Sequence, residues 1–189
     1  MDSTDDEKFE MPNTKKRKAF AAAKATMAAI GAATLVSGCG VVSGIMNDGV
    51  ENPITPEQSK AQVIDAAKDI VATLDLEVVK AVFWRASCND QGEPPYRGEM
   101  RISYPLAPNF DASVTEADQM IQQLRSKGWT DASDFHSHST ALTKGGVVAL
   151  LGPQSVSDTT RGLELFGECR DMTTDQNQNS MVEVDLSRP

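Results

Sequence analysis

The stretch Tyr96-Arg97-Gly98-Glu99-Met100-Arg101-Ile102-Ser103-Tyr104 decides the fold class, because its side chains alternate in character from one residue to the next. One face of the predicted strand carries Tyr96, Gly98, Met100, Ile102 and Tyr104, and the other carries Arg97, Glu99, Arg101 and Ser103. Pro105 and Pro108 end the strand. A sheet with one apolar and one polar face is antiparallel more often than parallel. The stretch therefore predicts an antiparallel sheet that is covered on one side.

Two helices are predicted, one before this strand and one after it. Thr55-Pro56-Glu57-Gln58 forms a capping box with proline at the first helical position, and it is followed by an apolar stripe of Val63, Ile64, Ala67, Ile70, Val71 and Leu74. Ser113-Val114-Thr115-Glu116 predicts a second capping box and a helix over about 113–127, with a stripe of Val114, Ala117, Ile121 and Leu124. Gly128 is expected to cap its end, and Trp129 to fold back on its last turn.

The remaining strands come from shorter apolar runs. They are Val78–Ser87, Phe135–Leu142, Val147–Leu151, Gly162–Phe166 and a marginal edge strand in Val182–Leu186. Lys144-Gly145-Gly146 predicts a hairpin between the second and third of these runs. The order of elements predicts an α+β fold in two layers, with an antiparallel sheet of about 4–5 strands and both helices on one face.

The N-terminal segment has the layout of a signal peptide. Lys15-Lys16-Arg17-Lys18 precedes an uncharged, mostly apolar stretch over residues 25–36, and the small residues Ser37 and Gly38 follow. The uncharged stretch is too short for a permanent membrane span, which needs about 20 apolar residues. Residues 1–38 are therefore predicted to be removed. The first ten residues are acidic, which is atypical of a signal peptide, so Met11 is a plausible alternative start.

Val36-Ser37-Gly38-Cys39 resembles the lipobox of bacterial lipoproteins, since it combines an apolar residue, two small residues and a cysteine at the right distance from a basic region. The resemblance implies that Cys39 receives a diacylglyceryl group on sulfur and becomes the first residue of the mature chain. Residues 39–53 are then a lipidated cysteine and flexible tether, residues 54–170 the α+β domain, and residues 171–189 a polar, disordered tail. Residues 55–170 also resemble small lipoproteins of mycobacteria and their relatives.

The charge of the mature chain excludes several partners. Of the 18 basic and 27 acidic residues, six and five lie within 1–38, so 12 basic residues remain against 22 acidic ones, a net charge of −10. No stretch of the mature chain concentrates Lys and Arg, which argues against nucleic acid and against electrostatic binding to anionic lipid. The membrane is therefore expected as a partner only through the lipid anchor on Cys39.

Two cysteines, Cys88 and Cys169, remain once Cys39 is assigned to lipid. An exported chain meets an oxidising compartment, and each of the two closes a predicted strand. The sequence therefore predicts a disulfide between them, with two reduced, buried thiols as the alternative.

A search for catalytic or metal-binding residues finds one weak constellation. Asp134, His136 and His138 alternate along a predicted strand, as metal ligands do, but no fourth ligand is identifiable and the segment is rich in Ser and Thr. We expect an exposed polar face and no metal there. No nucleophile elbow, phosphate-binding glycine loop or carboxylate pair is present, so no cofactor is implied and an enzyme is not expected.

The sequence predicts a lipid-anchored binding or structural module of the cell envelope, on the extracytoplasmic side of the cell membrane, without specifying its activity. Two alternatives stay open. One is an anchored envelope enzyme, and the other is a prophage-encoded lipoprotein that excludes related phage.

Overall fold

The computed structural model describes residues 49–175 and 180–186. The predicted signal peptide, Cys39 and the tether up to residue 48 lie outside the described residues. The elements are α1 (Pro56–Leu74), β1 (Lys80–Ser87), β2 (Tyr96–Tyr104), α2 (Phe110–Ser126), β3 (Thr130–Asp131), β4 (Thr140–Lys144), β5 (Val147–Leu151), β6 (Arg161–Phe166) and β7 (Val182–Glu183).

The strands form one antiparallel sheet in the order β3-β4-β5-β6-β2-β1-β7. The α+β class predicted from the sequence is confirmed, but the expectation of 4–5 strands is wrong, because the sheet of the described chain has seven. The outermost strands β3 and β7 have two residues each. Strand β7 lies within the marginal edge strand predicted for Val182–Leu186, whereas β3 was not predicted, because two residues are too few to show an alternating pattern. Strand β2, from which the fold class was predicted, lies between β6 and β1.

One face of the sheet forms the floor of the hydrophobic core. The strand register aligns a row of nearly fully buried residues across five strands: Phe83, Met100, Leu165, Ala149 and Leu142. Helix α1 lies against β2, β5 and β6, and α2 packs against α1. Side chains of both helices and of this row belong to one continuous core, so both helices cover the same face.

Helix α1 begins at the capping box that the sequence predicts. The backbone N–H of Gln58 donates to Thr55 Oγ1 at 3.2 Å, and the backbone N–H of Thr55 donates to Gln58 Oε1 at 2.9 Å. The predicted stripe is also confirmed: Val63, Ala67, Ile70 and Val71 are buried, and Ile64 and Leu74 pack against the same core.

Helix α2 begins three residues earlier than predicted. Its N-cap is Asn109, whose side chain accepts a hydrogen bond from the backbone N–H of Ala112 at 2.8 Å. The predicted capping box at Ser113 is wrong because asparagine caps a helix as well as serine does and comes first in the chain. Ser113 is instead fully buried inside the first turn, where its hydroxyl donates to the carbonyl oxygen of Phe110 at 2.6 Å.

The earlier start changes which residues of α2 face the core. Ala117, Ile121 and Leu124 are buried as predicted, but Val114 is exposed on the surface. The end of the helix agrees with the sequence. Gly128 has a positive φ of 89°, and Trp129 folds back so that its backbone N–H donates to the carbonyl oxygen of Leu124 at 3.2 Å.

The hairpin between β4 and β5 turns through Gly145 and Gly146, which both have positive φ, as a two-residue turn of this kind requires. The strand before it is shorter than predicted. Residues 132–139 form turns and bends, and β4 starts only at Thr140. Phe135 leaves the strand path because its ring packs on Phe166 of β6, with ring centroids 5.2 Å apart.

The segment predicted as a disordered tail contributes to the fold where it is described. Asp171 is fully buried, and its carboxylate accepts hydrogen bonds from the backbone N–H groups of Thr173 and Thr174 at 2.9 and 3.0 Å and from both hydroxyls. Leu186 is buried in the core. Asp171 and Leu186 therefore pack with the domain although they lie beyond residue 170. Residues 176–179 and 187–189 of the predicted tail lie outside the described residues.

Candidate functional site

The domain joins the N-terminal part of the chain at one end of the sheet. The backbone N–H of Ile54 donates to the carbonyl oxygen of Arg170 at 3.0 Å, and the Arg170 guanidinium donates to the carbonyl oxygen of Asn52, at 2.8 Å from Nε. Ile54 also pairs with Asp171, which in turn pairs with Tyr96 at the start of β2. We call this region, residues 52–55 with their partners 170–171, the attachment end.

A disulfide between Cys88 and Cys169 lies next to the attachment end, as the sequence predicts. The two Cα atoms are 6.0 Å apart, and both residues are half-buried. The bond connects the loop between β1 and β2 with the segment that follows β6. It therefore connects the β1–β2 hairpin to the end of β6, next to the attachment end.

The candidate metal ligands Asp134, His136 and His138 are not on a strand, because they lie in the loop between β3 and β4. All three are exposed, and the same loop is held to the sheet by Phe135. Over the described residues 49–175 and 180–186, no group of three His, Cys, Asp or Glu side chains is placed to hold a metal ion.

The face of the sheet opposite the helices carries a network of paired charges. Glu99 accepts hydrogen bonds from Trp84 Nε1 at 3.0 Å and from Arg97 Nε at 2.7 Å, which explains how a carboxylate can be nearly buried on this face. The Arg97 guanidinium also lies 4.8 Å from the ring centroid of Phe166. A second pair joins Arg101 to Glu164 at 2.8 Å. These charges are satisfied by one another, so the face offers a paired polar surface rather than a reactive group.

Several concavities are present in the described part of the chain. A polar cleft of about 190 Å³ lies on the paired face between Arg101, Arg161 and the loop 152–158. A hollow of about 460 Å³ lies between the end of α1 and β7, with walls that include Val71, Leu76, Val78, Val184 and Leu186. Two further concavities, of about 410 Å³ on the surface of α2 and about 360 Å³ at the loop 135–138, are also present. Ligand pockets usually occupy about 300–1,000 Å³, so the polar cleft is below the usual range, whereas these two concavities and the hollow fall within it. The hollow is the only one of the three with a largely apolar wall that includes core residues. Its ionisable lining residues are Lys80, Glu183 and Asp185, which form no recognisable catalytic set.

Four exposed apolar side chains lie in the segments beyond the other end of β2: the connection to α2, the first turns of α2 and the loop between β5 and β6. Leu106 is 42% exposed, Phe110 49%, Val114 37% and Val156 95%. Val156 comes from the loop between β5 and β6, which is held beside the first turn of α2 because the backbone N–H of Gln154 donates to Ser113 Oγ at 3.2 Å. We call these four residues the apical patch.

A buried arginine fixes the backbone under the apical patch. Arg161, whose side chain is only 11% exposed, donates from Nε to the carbonyl oxygen of Pro105 at 2.7 Å and pairs with Glu116 at 2.5 Å. Its guanidinium lies 4.7 Å from the ring centroid of Tyr104. Burial raises the pKa of the Tyr104 hydroxyl; the positive charge of Arg161 lowers it in part and the negative charge of Glu116 raises it further. These contacts of Arg161 connect β6 to the segment between β2 and α2 that carries Leu106 and Phe110.

The sequence analysis missed the apical patch because it assigned Val114 to the core and placed Phe110 before the helix. One feature of the sequence, its local charge, could have indicated the patch. Residues 102–124 contain no Lys or Arg but contain three acidic residues, Asp111, Glu116 and Asp118. A long stretch without basic residues, with a phenylalanine and a valine among acidic residues, indicates an apolar surface of one charge sign.

Among the residues that the structure describes, no helix is long and apolar enough to cross a membrane. The fold and the N-terminal motif together define the class: a small disulfide-bonded α+β domain behind a lipoprotein-type leader. The sequence profile of a family described as "Putative lipoprotein LppJ" matches residues 55–188. The chain belongs to this family, and the resemblance to mycobacterial lipoproteins is confirmed.

Individual relatives give the same result. The chain is 33% identical over 184 residues to "Putative lipoprotein LppJ" of Mycobacterium bovis, and 32% identical to the protein of the same name in Mycobacterium tuberculosis. Each alignment covers 92% of this chain and 96% of the relative. Residues from 49 onward make up only about three quarters of the chain, so the similarity also takes in much of the N-terminal segment. No solved structure matches the fold.

Proposed function

We propose that this chain is a lipid-anchored binding module, displayed on the extracytoplasmic side of the cell membrane and acting through surface contacts rather than catalysis. The proposal rests on the positions of the attachment end and the apical patch, which lie at opposite ends of β2. The tether joins the domain beside Tyr96 at the start of β2, whereas the apical patch follows Tyr104 at its end. Nine strand residues span about 27 Å at roughly 3.4 Å per residue.

Membership of a lipoprotein family and the lipobox at Cys39 support the anchoring, and the disulfide supports an oxidising compartment. The two acyl chains of a diacylglyceryl group, each adding about 0.8 kcal/mol per buried methylene, suffice to hold such a domain at a bilayer. The disulfide next to the attachment end keeps that end folded. An apolar patch far from the anchor is then available to a partner in the envelope.

The anchoring is tested by replacing Cys39 with alanine in cells that are fed an alkyne-bearing fatty acid. Wild type should take up the label and sediment with membranes, whereas Cys39→Ala should lose the label and either be released or stay unprocessed. The matched control is the double variant Cys88→Ala with Cys169→Ala, which removes the other two cysteines and should keep the label. Equal labelling of wild type and Cys39→Ala would contradict the proposal.

The side of the membrane is tested in the same cells. After removal of the outer envelope layers, added protease should degrade the wild-type domain while a cytoplasmic marker stays intact. A domain that becomes accessible to the protease only after the membrane is lysed would contradict the extracytoplasmic display.

A further inference from the structure

The apical patch is centred on one side of helix α2. Four of the seven large apolar side chains that are exposed in the described part of the chain belong to it. Phe110 and Val114 are four residues apart on α2 and therefore lie on the same side of the helix, while Leu106 precedes them in the connection from β2. Exposed apolar side chains that lie together on one side of a helix, as Phe110 and Val114 do, indicate an interaction site.

The segments that carry the apical patch are mostly acidic, although Arg101 of β2 lines the polar cleft together with Asp158. Residues 105–120 and 152–161 contain four carboxylates, Asp111, Glu116, Asp118 and Asp158, and a single basic residue, Arg161. Arg161 is mostly buried and is paired with Glu116, so its charge is not offered to a partner. Asp111, Asp118 and Asp158 are all exposed. A partner therefore meets apolar side chains with negative charge at their rim.

The charge around the apical patch favours a protein over the membrane itself. Residues 52–55 join the sheet at the start of β2, whereas the apical patch follows the end of this strand. The carboxylates beside the patch repel a surface of anionic lipid. The negative charge therefore favours a protein partner over docking of the patch onto the membrane.

We infer that the apical patch binds a protein segment that combines apolar with basic side chains. The apolar side chains of the partner cover Phe110, Val114 and Leu106, while its Lys or Arg side chains meet Asp111 and Asp158. The contacts of Arg161 with Pro105 and Glu116 hold the connection from β2 to α2 in place, and a connection that is already ordered costs less entropy when a partner binds. The position of the patch far from the anchor depends on the proposed function, whereas the chemistry of the surface does not.

The experiment uses the full chain with its lipid anchor, inserted in phosphatidylcholine nanodiscs. Val156, which is 95% exposed, is replaced by cysteine and labelled with an environment-sensitive nitrobenzoxadiazole fluorophore. Cys39 is blocked by lipid and the other cysteines by the disulfide, so the label is specific. The probes are a short peptide of alternating lysine and leucine and a matched peptide of alternating glutamate and leucine.

The lysine peptide should raise the emission saturably, and the glutamate peptide should not. Phe110→Ser should weaken binding about tenfold, because a half-exposed aromatic at the centre of a patch is the kind of residue that dominates binding energy. Asp111→Asn with Asp158→Asn should weaken it severalfold without removing any apolar surface. The matched control Met181→Ser, an exposed apolar residue outside the patch, should bind as wild type does.

Three results would overturn the inference: no response to the lysine peptide, equal responses of Phe110→Ser and Met181→Ser, or an emission that is already high and insensitive to peptide because the patch lies in lipid. Failure of the anchoring is distinguishable from these results. A chain that does not insert in nanodiscs contradicts the proposed anchoring, and the peptides then test the apical patch on the free protein.

Discussion

At the scale of single residues, Gly98 sets how closely α1 approaches the sheet. Its backbone N–H donates to Ser59 Oγ at 2.9 Å, and a Cβ atom at this position would lie 2.8 Å from the carbonyl oxygen of Ser59 and 3.1 Å from Val63 Cγ2. The nearer neighbour is backbone of the helix, which cannot move aside as the tip of a flexible side chain can. The glycine is therefore required by packing rather than by backbone conformation.

We predict that Gly98→Ala destabilises the domain by about 1–3 kcal/mol, the usual cost of overpacking a well-filled core. Urea unfolding followed by the fluorescence of Trp84 and Trp129 measures the loss. The control is Gly152→Ala, whose added Cβ meets only the hydroxyl of Ser139 at 3.1 Å and should change stability by less than about 0.5 kcal/mol. Equal effects of the two substitutions would contradict the packing role of Gly98.

At the scale of elements, the start of α2 decides where the apical patch lies. The N-cap at Asn109 brings Phe110 and Val114 into the first turns of the helix, with Ser113 buried between them. A helix starting at Ser113 would have left Phe110 in the preceding loop. The position of the N-cap therefore determines which apolar side chains of α2 are exposed on its surface.

Asn109→Ala should cost about 1 kcal/mol, because the backbone N–H of Ala112 loses its acceptor at the helix start. Asn109→Asp should retain the cap and keep stability near that of wild type. Thr115→Ala, an exposed substitution in the same helix, is the control and is expected to be neutral. If Asn109→Ala is neutral in urea unfolding, the helix does not depend on this cap.

At the scale of the whole molecule, the disulfide and the attachment end lie at the same end of the sheet. Cys88 and Cys169 are 81 residues apart in the chain, and the bond between them removes freedom of the unfolded chain worth about 4–5 kcal/mol in the chain-entropy model. Typical domains have a total stability of about 5–15 kcal/mol, so this bond is a large part of it.

Thiol titration of the denatured, unreduced chain should find no free thiols, and reduction should expose two. A reducing agent should lower the urea midpoint of wild type but leave the variant Cys88→Ala with Cys169→Ala unchanged. Two free thiols before reduction would refute the bond in the protein as it is made. If the reducing agent lowered the urea midpoint of wild type and variant by the same amount, its effect would not come from the bond between Cys88 and Cys169.

The sequence by itself determined the α+β class, the first helix with its cap and stripe, the central strand β2, the glycine turn of the hairpin and the pairing of Cys88 with Cys169. These features depend on local periodicity, on capping residues within four positions of one another and on the number of cysteines, all of which are readable along the chain. The lipoprotein family was recognised for the same reason, since its leader is a short contiguous motif.

Only the tertiary structure decided the rest. Strand β3 has too few residues to carry a pattern and exists because β4 offers it hydrogen-bond partners, and the marginal edge strand predicted for Val182–Leu186 is reduced to the two residues that pair with β1. Phe135 leaves the predicted strand because Phe166 is adjacent in space, and Asp171 is buried because threonine donors that follow it turn back on its carboxylate. The apical patch depends on the same kind of information: Leu106 and Val156 are 50 residues apart in sequence, and the loop of Val156 reaches the first turn of α2 only through the folded contact of Gln154 with Ser113.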